Sequence, residues 1–344
     1  MKWTDRGHEF DAFWDEIKNI KSVFLFGAGI NGQAVLECLK GKMSVKGFID
    51  NAEEKRGRII KGLDVKAIDD IIPGEDEAVI VTVSPEKVQG ILTQLKKKNV
   101  RAYDMHFFLP VYYAYQFEKV LFTSVSYLPT TVCNLNCRCC LNFSPYLKRQ
   151  EFRKLDKLES DIDLFFRKVD KVMLFHISGG EPFLYPDLIP FLTYIHEKYG
   201  EKIIRFETTT NGTVLPSEKL CHTLKECSVT VILDDYREEI MRAREILPKI
   251  EELFCKYEVN YRIQKVDKWI DLNPKKENKL GSDKFLNYKF EKCHVPWQEY
   301  RDGKLYLCNY ADYASVAGLY STRKDEYYSF WGDDFDIEEK RALM

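Results

Sequence analysis

Hydrophobic and polar positions along this 344-residue chain fall into two alternating blocks. In the first block, Phe10, Phe13, Trp14 and Ile17 recur at helical spacing and predict an amphipathic helix. A β-rich run, Ser22 to Phe26, then leads into Gly27, Gly29 and Gly32. Ile30 to Leu39 reads as a helix, Val45 to Ile49 as a strand, Ala78 to Val83 as a strand and Glu86 to Lys97 as a helix. Arg101 to Tyr103 reads as an edge strand. Such alternation predicts a parallel sheet. Residues 106–122 are aromatic and lack turn signals, so they read as a connecting segment.

The second block starts at Ser124. Its predicted strands are Val125 to Thr131, Lys171 to Ile177, Ile203 to Thr208, Ser228 to Leu233 and Asn260 to Gln264. Helices are predicted over Lys157 to Phe166, Asp187 to Lys198 and most of Glu238 to Tyr257. Small or polar residues follow each strand, and in βα folds those loops gather the active site. After about Trp269 the pattern turns loop-rich and aromatic, with a hairpin signal at Asp302-Gly303 between Cys293 and Cys308.

Bulk composition narrows the classes. At roughly 150 residues per domain, the length predicts two or three domains. The net charge of −2 excludes a basic nucleic-acid footprint, and Lys96 to Lys98 reads as a solvated helix face. No apolar run approaches the roughly 18 residues of a membrane helix, and the first residues lack the apolar stretch of a signal peptide. The expectation is a cytoplasmic protein without a membrane partner. In that compartment disulfides are rare, so ten cysteines, four of them within eight residues, point to metal or redox chemistry.

That cluster places Cys133, Cys137, Cys139 and Cys140 in one loop after a predicted strand. Thiolates are the ligands of iron–sulfur clusters. Three of them on a four-iron cubane leave one iron open for a substrate, whereas four make a closed centre. The C-x3-C-x2-C spacing of Cys133, Cys137 and Cys140 resembles the signature of the radical S-adenosylmethionine (SAM) superfamily. Gly179-Gly180-Glu181-Pro182 resembles that family's GGEP motif, and Thr210-Asn211-Gly212 its TNG motif.

The resemblance covers about residues 124–265, with a weaker extension to about 310. It implies a [4Fe-4S] cluster on Cys133, Cys137 and Cys140, and SAM held by Gly179, Gly180, Glu181, Pro182, Thr210, Asn211 and Gly212. Reductive cleavage of SAM would then give a 5′-deoxyadenosyl radical that takes hydrogen from a substrate. A reductant such as flavodoxin or ferredoxin is implied as partner. Relatives usually carry an aromatic residue where this chain has Cys139, which is either a small packing residue or a competing ligand.

Further residues gather around these motifs. Arg262 offers a partner for the SAM carboxylate, or else a surface salt bridge. Asp234 and Asp235, at a strand end, offer catalytic or ribose-binding carboxylates, or else helix caps. Glu207 is a weaker candidate, and His176, on an apolar strand, reads as a satisfied core histidine. Cys293 and Cys308 resemble a degenerate form of the family's cysteine-rich (SPASM or twitch) extension. Cys221, Cys227 and Cys255 fall on helices or strand starts, so a second complete cluster is not expected. Cys293 and Cys308 are then packed thiols, or one is a hydrogen-atom donor.

Gly27-Ala-Gly29-Ile-Asn-Gly32 follows a strand and opens a helix, and Asp50 ends the next strand. This fits the dinucleotide-binding fingerprint, with glycines at the pyrophosphate and the acid on a ribose. NAD, a nucleotide-sugar or another nucleotide would fit, and so would an empty scaffold.

The expected architecture is α/β. A Rossmann-like module over 1–110 and a connector over 111–123 precede a partial (β/α)6 TIM-type barrel over 124–270 and a degenerate extension over 271–344. The expected substrate is a nucleotide-linked sugar or surface-glycan precursor, with a peptide as second reading. Two rivals remain: a dehydrogenase with structural zinc on the cysteines, and a non-catalytic iron–sulfur protein.

Overall fold

The computed structural model describes residues 7–265, 282–291 and 297–343. The chain gathers into two compact units. Among the described residues, one comprises 7–123, 169–173 and 333–343, and the other 124–168, 174–265, 282–291 and 297–332. Among the described residues no helix is long and apolar enough to cross a membrane.

The first unit is built on strands β1 (Ser22–Phe26), β2 (Ser44–Ile49), β3 (Leu63–Lys66), β4 (Glu77–Val81) and β5 (Ala102–Asp104). They lie in the order β3-β2-β1-β4-β5 with parallel pairings. A two-residue strand, Ile59–Ile60, adds an antiparallel edge. β1 and β4 are buried at every position, which is why they read as continuous apolar runs. The strand order reverses between β1 and β4, and at such switch points doubly wound folds bind ligands.

The glycine turn sits at that point. Gly27 has φ +115°, a conformation that suits glycine. A Cβ on Gly32 would stand 1.9 Å from the Gly27 carbonyl oxygen, so a side chain there would part the helix from the turn. At Gly29 a Cβ would meet nothing within 4 Å.

The expected connector is instead largely a helix, Met105–Phe117. Eight of its residues are buried, including Pro110. A helix apolar all round carries no amphipathic period, and an interior proline hides it further. Its N-cap, Asp104, accepts from His106 N at 2.9 Å. Trp14 of the helix Asp11–Ile17 stacks on Tyr115, and Arg341 of the helix Ile337–Ala342 lies over the same ring. The final helix thus packs in this unit, apart from the rest of the extension expected over 271–344.

The second unit contributes β6 (Val125–Tyr127), most of β7 (Lys171–Ile177), β8 (Ile203–Thr210), β9 (Val229–Asp235), β10 (Tyr261–Lys265), β11 (Gln298–Arg301), β12 (Lys304–Tyr306) and β13 (Tyr327–Ser329). The order is β10-β9-β8-β7-β6-β11-β12-β13. Helices Leu155–Lys168, Leu188–Tyr199, Glu218–Glu226 and Met241–Lys256 connect β6 through β10, and the first, second and fourth lie where the periodicity predicts helices. β6 ends at Tyr127, earlier than expected, so the cysteine loop starts sooner. β11 pairs in parallel with β6 and turns back into β12 through Asp302 (φ +49°) and Gly303 (φ +69°). Two positive φ values in a two-residue turn match the predicted hairpin.

Asp161 fastens that hairpin to the barrel. Only 6% exposed, it accepts from Asp302 N at 2.9 Å, Gly303 N at 2.8 Å, Tyr127 Oη at 2.9 Å and Arg153 Nη2 at 3.1 Å.

Two predictions follow from this packing. Gly32→Ala is expected to destabilise the protein by about 1–3 kcal/mol through overpacking, whereas Gly29→Ala stays within about 0.5 kcal/mol, both read by denaturant unfolding. Asp161→Ala is expected to cost about 3–5 kcal/mol in the same assay, because it strips a buried guanidinium and two hairpin amides of their acceptor.

Candidate active site

The loops after β6 through β9 converge on a cavity of about 370 Å³ in the second unit. Cys133, Cys137 and Cys140 line it, together with Gly179, Gly180, Glu181 and Asn211. Cys139, next to Cys140 in sequence, does not. Cys140 N donates to Cys137 O at 3.1 Å, closing a tight turn between those two cysteines.

The cysteine loop and the glycine loop are laced backbone to backbone. Gly180 N donates to Thr130 O at 2.9 Å and Glu181 N to Val132 O at 2.8 Å. A Cβ on Gly180 would stand 2.3 Å from Val132 O, so only glycine allows this approach. Glu181 then joins the glycine loop to the Asn211 loop. Fully buried, it accepts from Phe183 N at 3.0 Å and Asn211 N at 2.8 Å. Burial pushes its carboxyl up to about 7, against the pull of those amides. Asn211 Nδ2 in turn reaches Asn134 Oδ1 at 3.1 Å and Cys133 Sγ at 3.8 Å.

These thiols suit a soft metal cluster. They are partly buried, and burial pushes Cys133 up to about 11 and raises Cys137 as well. A coordinating metal deprotonates such thiols outright. Among the described residues no three or more His, Cys, Asp or Glu side chains are arranged to hold a metal ion. The three cysteines share instead the wall of a roomy cavity, with the Gly180 approach beside them.

Other expected residues divide between the cavity and the scaffold. Pro182, Thr210 and Gly212 do not line the cavity. Pro182 opens a short 3₁₀ turn, Thr210 is buried, and Gly212 has φ +69°, where a Cβ would stand 2.9 Å from Leu247 Cδ1. Asp235, expected beside Asp234 as a catalytic or ribose-binding carboxylate, does not line the cavity. Strand alternation turns it away from the cavity, where it takes Arg237 N at 3.1 Å and Arg237 Nη2 at 2.6 Å. Arg262 lines the cavity but is committed to an ion pair with Glu207 at 3.2 Å, and Glu207 is also held by Arg205.

Asp234 does face the cavity. Its Oδ2 accepts from Tyr236 Oη at 3.1 Å, while its buried Oδ1 has no partner among the described residues. Burial pushes its carboxyl up to about 6. His176 also lines the cavity, with a ring nitrogen 2.8 Å from Thr209 Oγ1, and burial pushes it down to about 4, so it is neutral at pH 7. Trp297 meets the His176 ring edge-on.

Sequence reasoning missed Ser126, Trp297, Asn309 and Tyr313 as cavity residues. Ser126 is a strand residue, Trp297 immediately precedes β11, and Asn309 and Tyr313 follow β12, with no motif to mark them. Asn309 Oδ1 is a second buried acceptor without a partner among the described residues. Cys308 does not line the cavity, and Cys293 lies outside the described residues. Cys221 and Cys227 are buried in or beside the helix Glu218–Glu226, and Cys255 is exposed on the helix Met241–Lys256.

In the first unit, Asp50 braces the glycine turn. Its carboxylate accepts from Ala28 N at 3.0 Å, Ala52 N at 3.0 Å and Lys55 Nζ at 2.9 Å. Burial opposes the charge, but these partners hold the carboxyl below its ordinary value.

Glu181→Gln is expected to destabilise the protein by about 1–3 kcal/mol, since its amide nitrogen must face a backbone donor. Chemical denaturation measures this, and an unchanged midpoint would refute the bridging role.

Comparison with known proteins agrees with this geometry. Residues 127–264 match the family model described as "Radical SAM superfamily". GTP 3′,8-cyclase 3 of Mycobacterium bovis (strain ATCC BAA-935 / AF2122/97) is 31% identical over 119 residues, 32% of this chain and 30% of that protein. GTP 3′,8-cyclase 1 of Mycobacterium tuberculosis (strain CDC 1551 / Oshkosh) is 33% identical over 119 residues, 32% of each. The chain thus spans about a third of the length of these curated relatives. The solved structure of native anSMEcpe with bound AdoMet is 24% identical, covers 42% of this chain and 43% of its own, and has a TM-score of 0.35. Over residues 127–264 the chain is thus similar to the radical SAM superfamily.

Proposed function

We propose that this chain is a radical SAM enzyme in which Cys133, Cys137 and Cys140 hold a [4Fe-4S] cluster beside a SAM molecule. The observation that carries this reading is that the three thiols, Gly179, Gly180 and Asn211 line one cavity while Cys139 does not. When bound, the cluster supplies the electron that cleaves SAM and so generates the radical that takes hydrogen from the substrate.

The chain's own residues position and shield. Gly180 lets the backbone of the glycine loop approach the cysteine loop, and Glu181 keeps the glycine and Asn211 loops in register. Asp234 Oδ1 and Asn309 Oδ1 wait for hydrogen-bond donors. Arg262, paired with Glu207, is the one arginine or lysine among the described lining residues, and His176 stays uncharged. The wall is therefore short of positive charge, which suits the sulfonium and ammonium of SAM. Leu135, Leu141, Ile232 and Trp297 exclude water from the same space.

The substrate that this wall favours is rich in hydroxyl or amino donors, as a nucleotide-linked sugar is. Curated relatives named for GTP, itself a nucleotide, support that direction. A soluble one-electron donor of the flavodoxin or ferredoxin type completes the system.

The test is anaerobic. The protein is reconstituted with iron and sulfide, reduced with dithionite and given SAM, and 5′-deoxyadenosine is assayed by mass-detected chromatography. Cys133→Ala, Cys137→Ala and Cys140→Ala are each expected to abolish the product, and Cys139→Ala to leave it within about twofold, a difference of under ~0.5 kcal/mol in barrier. Loss of the cluster in Cys139→Ala would overturn the ligand assignment.

A further inference from the structure

The last of the three thiols has a neighbour that none of the three motifs supplies. Cys140 Sγ lies 3.4 Å from Ser144 Oγ. Ser144 is 7% exposed, and among the described residues its hydroxyl has no other partner. It does not line the cavity, so it stands behind the sulfur and away from the space for SAM and substrate.

The local backbone brings the hydroxyl there. Cys140 O accepts from Phe143 N at 3.1 Å, which closes a turn. Phe143 then takes φ +53°, a conformation uncommon for a bulky residue. Its side chain is buried in a cluster with Leu128, Tyr313 and Ala317, and that packing holds the strained backbone in place. Ser144 opens the 3₁₀ turn Ser144–Tyr146, and its carbonyl accepts from Leu147 N at 3.2 Å. The chain thus doubles back within four residues, and Ser144 meets the sulfur that the loop has just passed.

Cys133 is served differently. Leu135 N donates to its sulfur at 3.4 Å, and Asn211 Nδ2 lies 3.8 Å away. Those donors belong to the loop backbone and to a residue that also lines the cavity. The donor at Cys140 is a side chain that can be removed without touching either.

A free thiol can donate to Ser144 Oγ. A metal-bound thiolate has no proton to give, so the bond reverses and the serine hydroxyl donates to the sulfur. Hydrogen bonds to the ligand sulfurs are among the features that set the reduction potential of an iron–sulfur cluster. Reduction adds one negative charge, and a donor at a sulfur favours the more negative state.

We propose that the Ser144 hydroxyl donates to the Cys140 sulfur and raises the reduction potential of the cluster held by Cys133, Cys137 and Cys140. The inference rests on the cluster reading given above. Ser144 acts through Cys140 and sets how readily the centre accepts an electron from its donor. The same hydrogen bond moderates how strongly the reduced centre pushes that electron onward.

The experiment uses the full chain, reconstituted anaerobically with iron and sulfide and without SAM. The cluster is titrated with dithionite in the presence of redox mediators, and the reduced fraction is read by electron paramagnetic resonance. Ser144→Ala is expected to make the equilibrium constant for reduction about tenfold smaller, a potential about 59 mV lower for one electron. Ser144→Thr keeps the hydroxyl and is expected to titrate with wild type. Ser144→Val has the shape of the threonine without the donor, and is expected to follow Ser144→Ala.

A purely structural serine would change the unfolding midpoint and leave the potential alone. Titration of Ser144→Ala and Ser144→Val with wild type would therefore overturn the inference while the cluster reading stands. Loss of the cluster from both, with retention in Ser144→Thr, would overturn it as well, because the hydroxyl would then be a requirement of assembly. Should Ser144→Ala fail to fold, the threonine and valine pair still decides. Absence of any cluster in wild type would overturn the cluster reading, and this inference with it.

Discussion

The architecture of the cavity depends on one buried carboxylate. Asp161, on the helix after the cysteine loop, collects two backbone amides from the Asp302-Gly303 turn, the hydroxyl of Tyr127 and the guanidinium of Arg153. Tyr127 ends β6, the strand that launches the cysteine loop. The turn joins β11 to β12, and the helix that follows carries Asn309 and Tyr313. One side chain thus sets the spacing between the loop that bears the thiols and the segment that closes the far wall. Arg153 stacks over the Tyr127 ring and also pairs with Asp302, so the same charge that satisfies Asp161 holds the turn from a second side. A buried charge with four donors is tolerated because it is fully solvated by the protein.

Two glycine motifs show how a missing side chain is used for different ends. At Gly180 the absent Cβ lets one functional loop lie against another, where a Cβ would stand only 2.3 Å from Val132 O. At Gly32 the absent Cβ lets a helix settle on its own turn, while Gly29 borders open space. The former brings cavity residues together. The latter is a packing requirement of a Rossmann-like βα unit and does not by itself argue for a nucleotide.

Legibility in the sequence followed the same physics. Strands buried on both faces and helices with one apolar face announced themselves, and β7 runs over the residues that its apolar stretch predicts. The helix Met105–Phe117 did not, because burial on all sides erases the period. Short strands such as Leu63–Lys66 carry too few residues for any pattern. The cysteine, glycine and Asn211 loops were readable because their chemistry is local in sequence. Ser126 and Tyr313 are nearly two hundred residues apart and meet only through the β6–β11 pairing, so no local pattern could join them.

Three aspartates at strand ends make the distinction between scaffold and site concrete. Asp50 is met by two amides and a lysine, and its carboxyl is held low. Asp235 is met by Arg237 and is likewise held low, chiefly by that side chain. Asp234 has a single tyrosine hydroxyl, one bare oxygen and a raised carboxyl. An unpartnered buried acceptor costs about 1–3 kcal/mol. A scaffold has no reason to keep that cost when neighbouring positions show how easily an aspartate can be satisfied. Asp234 keeps it in the wall of the cavity that the three thiols share, which is where a ligand's donor would remove it.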